Sequence, residues 1–371
     1  MATAQQIHAA TDAQEPAIRA AFLAWVRETV ADARIAEIER LVIRGDVEGI
    51  ADSLGIQAVA LAALLEAIRQ AYTAGGAFGL KELPRLRAPA GLGGPALARA
   101  PYLRVRFDVR NLRAEAWLRD HSAQLVSRIL AEQRQVIRLT LATGAEFGRN
   151  PRAVALDIVG RIGATGRRTG GGVGLTEPQA SYVASARRQL ATAHLVPPRE
   201  ISPLTGKLRP SENPGDAYLT RTLRDRRFDG IVRRAMATGK PIPAAQIDRM
   251  TARYADRMLL LRGETIARTE ALTAFNEARD EAFRQAVETA GIEPDVVTKT
   301  WDSAGDARVR ENHAAMNGQR VKFTEPFRSP SGAQMMHPGD TSLGAGAAEI
   351  INCRCVSTAR INHLRAVYRG R

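Results

Sequence analysis

ETIARTEALTAFNEARDEAFRQAVETA, residues 264–290, runs without a glycine or proline and repeats apolar side chains at helical spacing, which predicts one long helix. Leu272, Phe275 and Phe283 mark its inward side. On a wheel of about 100° per residue, Arg268, Thr269, Asn276 and Arg279 fall within about 60° of Leu272, so polar groups share the buried face. Such groups are tolerated inside a protein only when hydrogen-bonded, and the neighbouring Glu270 adds a carboxylate. A specific polar network with the segment that follows is therefore expected. That segment changes character: extended pieces at 296–301, 319–323 and 350–356 alternate with turns rich in Gly, Pro and Asp.

Upstream, the same periodicity predicts helices through Ile35–Val42 and Val59–Ile68, and again through 111–143 and 154–159. Asn111 can cap the third of these, and Thr176-Glu-Pro-Gln179 has the form of a capping box opening a helix to about Ala193. Between them Leu103, Val105 and Phe107 alternate with polar residues, as in a short strand or an extended arm with one apolar side. Two basic helices, 218–237 and 244–261, precede the long one. The expected fold is mainly α, multi-helix and elongated, with a small α+β carboxyl-terminal domain. Its expected divisions are an acidic helical head (1–80), a Gly/Pro linker (81–101), a basic central region (102–262) and the terminal domain (263–371).

Charge narrows the function. The 371 residues carry 53 Lys+Arg against 39 Asp+Glu, a net of +14. Residues 1–80 hold 6 basic and 10 acidic side chains, so the rest of the chain carries +18; Leu219–Arg262 alone holds 11 basic and 4 acidic. A polyanion is the natural partner, and Arg221, Arg224, Arg226, Arg227, Arg233 and Arg234, with Arg167 and Arg168 of the glycine-rich stretch 160–174, are the residues expected to meet duplex DNA without reading its sequence. That glycine-rich stretch lacks the lysine and spacing of a Walker loop, and no buried strand leads into it, so a basic hairpin or loop is expected. Two cysteines, no charged-then-apolar leader and no apolar run of about 20 residues lead to the expectation of a soluble, intracellular chain without membrane contact.

The side chains able to do chemistry gather late: Trp301, Asp306, Arg310, His313, His337 and Asn352-Cys-Arg-Cys355. Cys353 and Cys355, at i and i+2 in an extended segment, point to one face and could hold zinc with His313 and His337; the alternative is two small buried thiols beside a hydrogen-bonded histidine. The signatures of zinc deaminases and of His-Glu-x-x-His proteases are absent. A Cys–His thiol enzyme lacks any group to orient the imidazole, and a metal-assisted nuclease built on His313, Cys353 and Cys355 is the remaining enzymatic alternative.

Ile266-Ala-Arg-Thr-Glu270 with Ala274-Phe-Asn-Glu277, then Trp301, Asp306-Ala-Arg-Val-Arg-Glu-Asn-His313-Ala-Ala-Met-Asn-Gly318, Glu325-Pro-Phe327 and Ile351-Asn-Cys-Arg-Cys355 form an ordered series. In it the last third of the chain resembles the head morphogenesis, or minor capsid, proteins of tailed bacteriophages typified by the F protein of phage Mu. The resemblance implies a non-enzymatic component of a phage or prophage-like particle, acting at the portal vertex during assembly in the host cytoplasm and retained in the virion with the DNA. Portal protein, capsid or scaffold proteins and double-stranded DNA are the partners it implies, with no cofactor. Some relatives place Cys-x-x-Cys where this chain has Arg310 to His313, so His313 stands at the second cysteine. Arg268, Thr269, Glu270, Asn276, Trp301, Asp306, Arg310, His313, Asn352, Cys353 and Cys355 are then read as a structural cluster. The acidic head is assigned to the portal or scaffold.

Overall fold

A computed structural model describes residues 2–82, 105–163, 165–195, 213–290 and 297–361. The protein is mainly α, with small antiparallel sheets confined to a hairpin and the carboxyl-terminal part. Two compact units are interleaved in sequence: residues 1–22, 62–124 and 264–371 form one, residues 23–61 and 125–263 the other. Residues 1–80 are thus divided between the two units, where the sequence suggested one consecutive head. Linker residues 83–101 lie outside the described residues; Lys81 and Glu82 close a helix instead.

The first unit is built on α11 (Ala244–Ala290), whose residues from 264 onward carry its core. Helix α1 (Ala4–Asp12) starts at a Thr3–Gln6 capping box, and α5 (Ala62–Glu82) lies close against α11. At Gly75 an added Cβ would stand 2.3 Å from the Phe275 carbonyl oxygen, so only glycine permits that approach. The segment 105–108 is an extended arm and not a strand. Phe107 packs on Gly76 and Tyr72, while the Gln285 amide both accepts from Asp108 N and donates to its carbonyl.

Strand β3 (Val297–Asp302) is central in an antiparallel sheet between β4 (Arg320–Lys322) and β7 (Val356–Ile361), with Trp301 opposite Ser357 and Lys299 opposite Val321. The third extended piece begins at Val356 because α13 (Ala347–Ile350) and a turn occupy the residues before it. Two further short strands, β5 (Phe327–Arg328) and β6 (Gln334–Met335), pair antiparallel. Alternation along β3 buries Val297, Lys299 and Trp301, and Trp301 packs with Leu272, Met316, Phe327, Ile350 and both cysteines.

In the second unit α3 (Ile35–Arg44) ends on Gly45, whose φ of +65° suits glycine, and α4 (Val47–Ser53) follows at once, capped by Asp46. Helix α6 (Leu112–Glu146) contributes its residues from 125 on, and α7 (Pro151–Val159) is capped by Asn150. The glycine-rich stretch folds as a hairpin of β1 (Arg161–Ile162) and β2 (Arg168–Thr169), leading to α8 (Glu177–Thr192), which opens on the Thr176–Gln179 capping box. The expected helix over 218–237 is instead α9 (Pro214–Leu219), a turn, a 3₁₀ segment and α10 (Asp229–Thr238); Asp225 accepts from Arg227 N at the break. Conversely, the two helices expected over 244–261 and 264–290 are one, continuous through Gly263. A mid-helix glycine costs about 1 kcal/mol, and burial of Met250, Tyr254 and Met258 before it and Ala267, Ala271 and Leu272 after it outweighs that. Among the described residues, no single helix is long and apolar enough to cross a membrane.

Candidate functional site

The polar face of α11 meets the carboxyl-terminal segment where the wheel places it. Asn276 donates to Pro338 O at 3.0 Å and accepts from Arg279; Arg279 also donates to Ser357 O at 3.0 Å and pairs with Glu82 at 2.8 Å. Arg279 and Glu82 are both buried. Burial pushes the Glu82 carboxyl up while Arg279 pulls it down. Thr269 Oγ1 accepts from Asn352 N at 3.1 Å, and Arg268 donates to the Asn352 side chain at 3.3 Å and stands 3.5 Å from Glu15. Glu270 turns elsewhere, to His121 at 2.6 Å, whose ring stacks on Trp117. Arg310 donates to Ile351 O, and Asp306 accepts from Arg354 at 2.7 Å.

Asn352 is the one non-glycine residue with positive φ (57°) among the described residues, and it turns the chain just ahead of Cys353. Asparagine tolerates this left-handed conformation better than most side chains. After the turn, both thiols converge on His313 of α12 (Glu311–Ala315), whose Nδ1 lies 3.5 Å from each Sγ. Cys355 N also donates to Cys353 Sγ. The other ring nitrogen, Nε2, is 2.7 Å from Glu349, a carboxylate that also accepts from Ser331 Oγ at 2.6 Å. Trp301 packs edge-on against the imidazole at 5.2 Å. All three donor groups are buried.

Burial works against charge on His313, and the Cys355 thiolate and Glu349 outweigh it, raising the imidazole. The hydrogen bond from Cys353 holds the Cys355 thiol below the usual thiol range, helped by His313, whereas Cys353 is pushed up by Cys355 and by burial. Glu349 supplies the orienting group that the sequence left without a candidate for a Cys–His thiol centre. Yet the imidazole is equidistant from two thiols, and a thiol nucleophile needs one. Equal approach suits a structural cluster.

His337 does not join this group. Its Nε2 is 2.8 Å from Glu277 and its Nδ1 3.2 Å from Pro338 O, so both nitrogens face acceptors. Although burial disfavours charge there, Glu277, Asp280 and Asp340 raise the His337 pKa to about 9. The imidazolium is the form this pocket holds.

The basic residues divide by orientation. Arg221 donates to Gln189, Ser185 and Tyr254, Arg224 forms a two-pronged pair with Asp229 at 3.0 Å, and Arg168 donates to Ala33 O and Gly160 O; these three are committed inward. Arg226, Arg233, Arg234 and Arg167 are exposed, as is Arg227, which pairs with Asp225 at 2.6 Å. Among the described residues, several amides of the glycine-rich hairpin are already committed within the fold. Gly163 N donates to Arg167 O, Gly172 N to Asp157 O and Gly174 N to Gln133, and Gly170 N donates to the Asp256 carboxylate at 2.6 Å, where an anion would be repelled. Sequence reasoning gave no place to the half-buried cluster in which Arg149 and Arg187 meet Asp157 and Asp248. Its members are spread over 100 residues of chain without a repeating spacing.

Residues 229–358 match the family model described as Phage Mu protein F like protein. No curated protein and no solved structure matches the chain.

Proposed function

We propose, for a chain that is a phage Mu F-like protein over residues 229–358, that its part in phage head morphogenesis is to join the portal vertex and hold packaged DNA without sequence preference. The family match carries this reading. It points to a structural, capsid-associated component, and the committed hydrogen bonds around His313, His337 and Arg279 are in keeping with side chains that hold the tail together rather than turn over a substrate. The net charge of +14 supports DNA as the polyanion, with the exposed Arg226, Arg234 and Arg167, and Arg233 at 3.8 Å from Asp229, as the guanidinium groups that face it. Phosphate contacts of this kind give affinity without base information.

Portal or scaffold contacts belong in this proposal to the acidic residues 1–80. Deleting them whole would also remove Gly75, which fits against Phe275 in the unit built on α11, so exposed acidic side chains such as Asp32 and Asp52 are the ones to substitute.

For DNA, binding measured by gel shift should weaken steeply with salt and be alike for unrelated duplexes. Each phosphate contact contributes about 0.9 to the slope of log affinity against log salt. Arg226→Ala, Arg233→Ala and Arg234→Ala together should flatten that slope by up to about 3 and leave the melting temperature unchanged. An unaltered slope in the triple variant would exclude this face.

A further inference from the structure

We infer that His313, Cys353 and Cys355 bind one zinc ion, with Glu349 fixing the imidazole behind it. Zinc sits about 2.3 Å from a thiolate sulfur and about 2.0 Å from an imidazole nitrogen. In a tetrahedral site those two lengths set the nitrogen-to-sulfur separation at about 3.5 Å. His313 Nδ1 stands 3.5 Å from Cys353 Sγ and 3.5 Å from Cys355 Sγ. The three donor atoms all lie within 4.8 Å of one another.

The surroundings fit the same ion. A metal-bound histidine usually gives its other ring nitrogen to a carboxylate, which fixes the tautomer, and Nε2 of His313 is 2.7 Å from Glu349. The backbone N–H of Cys355 points at Cys353 Sγ, a donor that supports a thiolate. Two soft sulfurs and one nitrogen select zinc over magnesium or calcium, which take oxygen. Cys353 also borders a cavity of about 230 Å³ shared with His8, Asp12 and Glu15. His337, held by Glu277, takes no part.

Such an ion ties α12 to the Asn352 turn and so to the start of β7. It goes beyond the head-morphogenesis reading, which stands whether or not metal is bound. The test uses the full-length protein without a histidine tag, dialysed against metal-free buffer. Elemental analysis should find about one zinc per chain, and replacement by cobalt should produce the sulfur-to-cobalt charge-transfer absorption of a two-thiolate site. Cys353→Ser with Cys355→Ser should abolish both, while His337→Gln retains both. Should the double variant fail to fold, the wild-type cobalt spectrum decides alone. Wild-type protein that holds no zinc, shows no charge-transfer band with cobalt and has thiols freely titrated in the native state would overturn the assignment.

Discussion

Arg279→Met is expected to destabilise the unit built on α11 by about 3–5 kcal/mol, the range for breaking a buried ion pair by removing one partner. The methionine covers similar volume, so the loss comes from the groups it abandons. Glu82 stays buried without its cation, and Asn276 Oδ1 and Ser357 O each lose a donor. Replacing both partners, Arg279→Met with Glu82→Leu, should recover much of the loss, because a buried pair compares poorly with an apolar one of similar size. Hydrogen exchange across α5 and β7 separates this unit from the other, which a single whole-chain melt does not. A single variant costing less than 1 kcal/mol would mean that the polar face of α11 is incidental to the fold.

Stability should also fall as the solution is made alkaline, by roughly 3 kcal/mol from His337 alone. The imidazole is raised from 6.5 to about 9 in the folded chain, so it binds its proton more tightly there than when unfolded. Its contribution is complete below about pH 6.5 and disappears as pH rises through 9. The charges facing it are Glu277 and Asp280 on α11 and Asp340 beside it in the tail. Burial also pushes the Lys299 ammonium down, so the comparison is made against a variant. Subtracting the pH profile of His337→Gln from that of the wild type isolates the histidine; a flat difference between pH 6 and 10 would show that folding leaves its pKa unchanged.

Local chemistry in this chain was legible. The Asn111 and Thr176 caps follow from a side-chain oxygen within three residues of the amide it satisfies, and the inward side of residues 264–290 follows from spacing alone. Even the polar network could be anticipated, because Asn276 and Arg279 share the face of Leu272 and must find partners. The identity of most partners could not. Glu349 and Glu277 lie 36 and 60 residues from the histidines they bind, and no periodicity ties such positions together. Gly263 read as a break because propensity is local, whereas the packing that carries α11 through it is tertiary. The interleaved units were hidden for a similar reason: the fit of Gly75 against Phe275 is a matter of shape between residues 200 apart. Charge counting found the basic residues but not their direction, since Arg221 and Arg224 differ from Arg226 and Arg234 only in what surrounds them.

The proposed role in head morphogenesis is tested most directly by quantitative mass spectrometry of DNA-filled heads purified from cells expressing the full-length chain, alongside heads from cells lacking it. The chain should be present in a few copies per head and remain after washing that strips surface-bound protein. Filled heads that contain none of it, formed in normal number with or without the gene, would contradict the account.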